Sequence, residues 1–266
     1  MPRFDQIPIL INPIPMNALL QKAAALISRS HLTIALTGAG ISVESGIPPF
    51  RGSGGLWEKI DPFKYAHIDA YARNPAEVWE VLFLGLKDLL QKAKPNDGHL
   101  GLSQIERMGR LQTVITQNID GLHQRAGSRD VIEFHGTFAE LRCMRCDGRL
   151  GASHAELDPL PPRCACGGIL RPDVVMFGER IPEAPLQRAQ MLASTCDLML
   201  VVGTSATVEP AAHLPVIAKR GGAAVIEINL EATPLTRQVS DVTLLGEAGS
   251  VMPQLVRALT QQGSLA

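Results

Sequence analysis

The chain has 266 residues, 45% of them hydrophobic and 19% charged, with a formal net charge of -1. That length fills one large domain with an insertion or two modest ones, and the balanced charge gives no net pull toward nucleic acid or anionic lipid. Residues 1–16 lack the form of a signal peptide and no apolar run is long enough to span a bilayer, so a soluble, cytoplasmic monomer is expected.

In chain order, helical periodicity is expected over residues 17–28 and a β-branched apolar run over 32–36. Behind that run stands Thr37-Gly38-Ala39-Gly40-Ile41-Ser42. Gly38 and Gly40 allow a tight turn and close approach to a pyrophosphate, and a helix starting near Ile41-Ser42 would aim free N–H groups at it. The third position of the G-x-G-x-x-G pattern is Val43, however, and where a second strand ending in an acid belongs, residues 47–55 form a Gly- and Pro-rich loop. Hydride transfer is therefore disfavoured, and the loop is read as a flexible cover over a dinucleotide, NAD, that is consumed. Helices are expected over 75–92 and 98–108, then strands over 112–116 and 131–134. Further strands, 198–202, 224–228 and 242–245, alternate with helices over 183–194, 210–219 and 250–259. Such alternation places the chain in the α/β class with a Rossmann-like parallel sheet. The segments behind the strands are small or polar: Gln117-Asn118-Ile119-Asp120, His135-Gly136, Gly203-Thr204-Ser205, Asn229 and Gly246-Glu247-Ala248. Ligands of open parallel sheets lie at the carboxyl ends of the strands, so these segments should converge on one crevice.

Of five cysteines, four fall in two close pairs, Cys143-x-x-Cys146 and Cys164-x-Cys166. Four thiolates at such spacing make a tetrahedral zinc site, and closure by four protein ligands makes the single zinc ion structural. His154 lies between the pairs as a spare ligand. Cys196 opens an apolar strand and is read as buried.

In order and spacing, several segments closely resemble the sirtuin family of NAD-dependent protein deacylases, from about Ala18 to Leu259. They are Gly38 to Ser42, Glu44-Ser45-Gly46-Ile47-Pro48, Phe50-Arg51-Gly52, Thr116 to His123, His135-Gly136, the cysteine pairs, Arg171 to Glu179, and Gly203-Thr204-Ser205. The resemblance implies a Rossmann-like NAD-binding domain (18–50, 110–137 and 173–262) with a small inserted domain. The insertion comprises a cofactor loop and helical module (51–109) and a zinc ribbon (138–172). It also implies that acyl-lysine and NAD meet in the cleft, giving free lysine, nicotinamide and O-acyl-ADP-ribose. His135 would be the general base, a role that suits an imidazole titrating near working pH. Taken alone, a histidine at a strand end is more often structural, and Asn-x-Asp reads as a turn or cap.

Further roles follow from the same resemblance. Asn118, counted with His135 as catalytic, and Asp120 would hold the nicotinamide ribose and amide, with Ile119 beside the ring. Gly38, Ala39, Gly40, Ile41 and Gln117 would contact NAD, with Phe50 and Arg51 in the cofactor loop. Gly203, Thr204, Ser205, Asn229 and Ala248 would face the adenosine side. Val175, Phe177 and Gly178 would receive the substrate backbone as an added strand. Family members preferring acidic acyl groups carry a Tyr-x-x-Arg pair, at places aligned here with Leu84 and Lys87. Leucine cannot donate the hydrogen bond and lysine lacks the planar fork, so acetyl or longer apolar groups are expected. The alternatives are mono-ADP-ribosyl transfer or NAD hydrolysis on the same scaffold, or a non-catalytic binding module.

Overall fold

A computed structural model of the protein describes residues 14–50 and 54–263. Six strands form one sheet: β1 (Thr33–Thr37), β2 (Thr113–Thr116), β3 (Val131–Glu133), β7 (Leu198–Val202), β8 (Ala224–Asn229) and β9 (Val242–Leu245). Three more, β4 (Gly136–Cys143), β5 (Arg149–Gly151) and β6 (Leu170–Val174), form a separate antiparallel sheet in the order β5-β4-β6. The large sheet runs β3-β2-β1-β7-β8-β9, every pair parallel, so the chain reverses its winding at β1 and β7.

Period-two alternation divides the central strands between two cores. Leu198, Leu200 and Val202 of β7 join Ala35 and Val114 beneath the helices Met16–Arg29, Asp97–Arg107 and Ala248–Gly263. Met199 and Val201 point the other way, with Ile34 and Leu36, onto Glu183–Thr195 and Leu214–Arg220. A strand buried on both faces has to be apolar throughout, which is why these runs stood out in the sequence. Leu102 and Ile105 of Asp97–Arg107 belong to the first of these cores and not to that of the helices preceding them.

A third core unites the small unit. Tyr71, Trp79, Leu82 and Phe83 from residues 71–83 pack with Phe138, Leu141, Cys143 and Leu170 of the small sheet. The Leu170 carbonyl accepts hydrogen bonds from Tyr71 Oη at 2.8 Å and Trp79 Nε1 at 3.0 Å, which pins helices to ribbon. Each large side chain fully buried there contributes roughly 1.5–3 kcal/mol of transfer free energy. The helix expected over 75–92 forms, but Pro75–Val78 and Leu84–Lys92 are joined through a π turn, Trp79–Phe83. Among the described residues no helix is long and apolar enough to cross a membrane.

Candidate active site

The loops behind β1 and β7 touch backbone to backbone. Gly40 N–H donates to the Gly203 carbonyl at 2.7 Å, and Gly203 has φ +61°, where a Cβ would stand 2.3 Å from the Ile41 nitrogen. Only glycine fits both the conformation and the gap. Ala39–Ser45 is a 3-10 helix, not the expected α-helix from Ile41. Its Gly40 N–H is taken by Gly203 and its Ile41 N–H by the Gly38 carbonyl, so those two donors do not face a phosphate. Ile41 is fully buried in the sheet core and Ala248 is 5% exposed in the same core, so neither lies in the wall of the cleft.

One cavity of about 1450 Å³ opens at the carboxyl ends of the sheet. It exceeds the roughly 300–1,000 Å³ of a usual small-molecule pocket and has room for a dinucleotide beside a peptide segment. Gly38, Ala39, Gly40, Phe50, Gln117, Asn118, Ile119 and His135 line it from the β1, β2 and β3 side. Gly203, Thr204, Ser205 and Asn229 line it from the β7 and β8 side, and Val175, Phe177 and Gly178 from the segment that follows β6. Gln117 Nε2 donates to Thr204 Oγ1 at 3.0 Å and Asn229 Nδ2 to the Thr204 carbonyl at 2.9 Å, so neighbouring loops fix one another. Asp120 faces a side chamber of about 20 Å³ that shares Ala39, Phe50, Asn118 and Ile119 with the main cavity. Arg51 lies outside the described residues.

His135 closes β3, and its Nδ1 stands 2.9 Å from the Gln117 carbonyl. A carbonyl only accepts, so Nδ1 carries the proton and Nε2 keeps its lone pair. Burial pushes the His135 pKa below the ordinary 6.5, partly offset by that carbonyl. The next residue, Gly136, has φ +77°, and a Cβ there would lie 2.1 Å from the Asp173 carbonyl oxygen. The chain therefore turns from β3 directly into the small sheet, and His135 stands at that joint.

Ser42, expected from sequence only as part of the Thr37–Ser42 turn and the start of a helix, is the hub of the polar floor. Its hydroxyl donates to Asp120 Oδ2 at 2.7 Å and accepts from Asn118 Nδ2 at 3.0 Å. With that proton committed, His99 Nε2, 3.3 Å away, has to be the donor in its contact with Ser42. His99 and His123 are buried with rings 4.9 Å apart, and His123 Nε2 meets Thr37 Oγ1 at 2.9 Å. Single polar residues inside apolar or turn segments gave no pattern from which this network could be read.

Across the mouth Phe50 stacks on Trp57, centroids 5.3 Å apart, and Trp57 meets Phe177 at 6.0 Å. Trp57 was also missed, although an aromatic directly behind a glycine-rich loop was a usable signal. Both main-chain groups of Phe177 are occupied, its N–H on the Ala66 carbonyl and its carbonyl by the Ile68 N–H, each at 2.9 Å. On the helical side the cavity meets Leu82, Phe83 and Leu86. Leu84 and Lys87, the places assigned from sequence, do not line it.

In the ribbon the four cysteine Sγ atoms lie within 4.8 Å of one another, with Cys143 to Cys166 at 3.5 Å and Cys146 to Cys164 at 3.8 Å. A tetrahedral zinc with Zn–S bonds of about 2.3 Å sets its sulfurs about 3.8 Å apart, so the four fit that ion. The Arg145 and Gly168 N–H groups point at the Cys143 and Cys166 sulfurs, each at 3.4 Å. His154 is not part of the cluster.

A doubly wound sheet whose carboxyl-end loops face a second, four-thiolate unit across a deep cleft defines a nucleotide-dependent enzyme that acts on a second substrate held between the units. Residues 38–210 match the model of the Sir2 family, and the chain belongs to that family. It is 47% identical over 240 residues to the NAD-dependent protein deacylase 2 of Pyrobaculum aerophilum, covering 90% of this chain and 95% of that one. A Sir2 homologue solved in complex with NAD superposes with a TM-score of 0.84 at 44% identity, covering 91% of this chain and 94% of that one. A Sir2 variant solved with deacetylated p53 peptide and 3'-O-acetyl ADP-ribose gives 0.82 at 37% identity, covering 92% and 98%.

Proposed function

We infer that this chain is an NAD-dependent protein-lysine deacylase, turning acyl-lysine, NAD and water into lysine, nicotinamide and O-acyl-ADP-ribose. The observation that carries the reading is the oriented base: His135 presents Nε2 to the cavity where the two units meet. A protein that only bound a dinucleotide would need no such group.

NAD, when bound, supplies a ribose carbon activated by its nicotinamide leaving group. Gly38, Ala39 and Gly40 contact the cofactor by letting the pyrophosphate approach the backbone closely, since the Gly38 and Gly40 N–H groups are already bonded within the protein, and Ile41 supports them from below. Gln117, Thr204, Ser205, Gly203 and Asn229 form the adenosine side, with Ala248 acting from the core. Asn118 and Asp120 orient the nicotinamide riboside, Ile119 packs on the ring, and Phe50 and Arg51 close over it. Asn118 and His135 are the catalytic pair, His135 taking a proton from a ribose hydroxyl at Nε2. Val175 and Gly178 offer main chain to the substrate on either side of Phe177, whose ring packs against it. Cys143, Cys146, Cys164 and Cys166 would hold one structural zinc. The units divide as 18–50, 110–137 and 173–262 against 51–109 and 138–172, although the packing of Leu102 and Ile105 favours counting 97–109 with the large unit. The protein works as a cytoplasmic monomer and takes no nucleic acid.

Incubation with an acetyl-lysine peptide and NAD, read by mass spectrometry, should yield nicotinamide, free-lysine peptide and acetyl-ADP-ribose together. His135→Ala should lower kcat by about 10²–10⁴-fold while NAD still binds. Because burial lowers the His135 pKa in the free protein, the base form persists as pH falls, and the acid limb of kcat/KM should lie below pH 6.5. Nicotinamide release without peptide would favour the hydrolase alternative, and full turnover by His135→Ala would refute the mechanism.

A further inference from the structure

Glu227, in β8, is 1% exposed, and among the described residues no cationic side chain pairs with it. Its carboxyl group instead collects three hydroxyl donors: Thr233 Oγ1, Thr236 Oγ1 at 2.8 Å and Ser240 Oγ at 2.9 Å. A hydroxyl has one proton, so each threonine that gives it to Glu227 has only lone pairs left. Thr233 Oγ1 uses one to accept the Leu235 N–H at 3.1 Å, and Thr236 Oγ1 accepts the Thr233 N–H at 2.9 Å. The carboxyl thus sets two hydroxyl rotors, and the rotors in turn hold the first turn of Pro234–Gln238. The segment so anchored is part of the cleft: Asn229, Leu230, Glu231 and Thr233 line the cavity. Its other end is tied by Asn229 to the Thr204 carbonyl, leaving the segment held at two points.

We propose that Glu227 is a positioning residue for the adenosine end of the dinucleotide, acting through the hydroxyls of Thr233, Thr236 and Ser240 on the wall from Asn229 to Pro234. This rests on the reading of the cleft as an NAD site. Glu227 touches no substrate. It converts the loop at the carboxyl end of β8 into a fixed wall, so that binding does not have to order that loop first.

The test is calorimetric titration with ADP-ribose, alongside steady-state kinetics, for the wild type, Glu227→Gln, Thr236→Val and the double variant. Glu227→Gln should weaken ADP-ribose and raise the NAD KM about tenfold, while kcat at saturating NAD and the peptide KM stay within about twofold. Thr236→Val should give about threefold, and the double variant should be no worse than Glu227→Gln, since both cut one chain of contacts. Unchanged ADP-ribose affinity in Glu227→Gln overturns the proposal, as does an equal rise in the peptide KM, which would mean general loosening. If Glu227→Gln fails to fold, Thr236→Val decides by the same readouts. Failure of the wild type to bind ADP-ribose would instead refute the NAD reading itself.

Discussion

His99 and His123 lie beneath the polar floor of the cleft, and burial drives both far below the ordinary 6.5, His99 to about 4 and His123 to about 3. The Asp120 charge opposes part of the shift at His99, and His99 adds to that at His123. In the unfolded chain both protonate near pH 6.5. Between there and about pH 4 the unfolded state binds more protons, so stability falls as pH falls, by about 1.4 kcal/mol per unit for each histidine. From pH 7 to pH 5 the pair should remove roughly 3–4 kcal/mol of unfolding free energy in denaturant titrations. His123→Gln should remove about half of that dependence, and equal stability at the two pH values would contradict the assignment. The same residues show where a sequence stops being informative. The strand-end motifs placed Asn118 and His135 in the cavity wall, because residues at carboxyl ends of parallel strands face one crevice. Ser42 and His99 act through contacts between segments 57 residues apart, which no local pattern encodes. Ile41 and Ala248 follow glycine-bearing turns, but their apolar side chains turn into the core.

At the scale of elements, the segment joined through the π turn forms the helical wall of the cavity, and acyl selectivity is expected to follow from it. It presents Leu82, Phe83 and Leu86 to the cavity and Lys87 lies elsewhere, so among the described residues that wall carries no cation, the cavity's Arg180 coming from the segment after β6. Burying an unpaired carboxylate there costs several kcal/mol. A succinyl-lysine peptide should therefore show kcat/KM at least about 100-fold below the acetyl peptide, and preference for succinyl would overturn the reading. The helical wall is apolar as expected, but Leu82, Phe83 and Leu86 form it and not Leu84, because periodicity shows that a helix has an inward face without showing which residues meet a particular cavity. The inner strands β1, β2, β7 and β8 were legible as apolar runs buried on both faces, and the edge strands β3 and β9 as shorter β-branched runs. The short helices Leu56–Lys59, Pro62–Tyr65 and Ile68–Arg73 were not, since each is shorter than the window periodicity requires. The ribbon strands were also missed, for a register shift between Thr137 and Leu141 breaks the alternation of β4, where Ala139 and Glu140 are exposed side by side.

At the scale of the whole molecule, the cysteine ribbon and the acyl-facing helices share one core, with Leu170 hydrogen-bonded to both Tyr71 and Trp79. Losing the metal should therefore be felt on the substrate side of the cleft more than on the dinucleotide side. A strong chelator, or Cys146→Ala, should lower Tm by several degrees and raise the peptide KM, while ADP-ribose affinity changes less than about threefold. An unchanged melting curve would count against a structural zinc. The sequence located the thiolates by spacing, but the shared core depends on side chains from 71–86 and 138–176 meeting, which only the folded chain displays.

The seam of Gly40 against Gly203 also bears on how the protein is made. The two glycines are 163 positions apart, so at about 5–20 residues per second the second follows the first from the ribosome by roughly 10–30 s. During that interval β1 can pair with β2, but its other edge, destined for β7, is open and apolar. A nascent chain therefore carries its most adhesive edge through the synthesis of the whole small unit and gains a nucleotide site only in the last quarter of translation. Ligand cannot rescue it earlier, and the burden of preventing mispairing in that window falls on chaperones and on the speed of elongation.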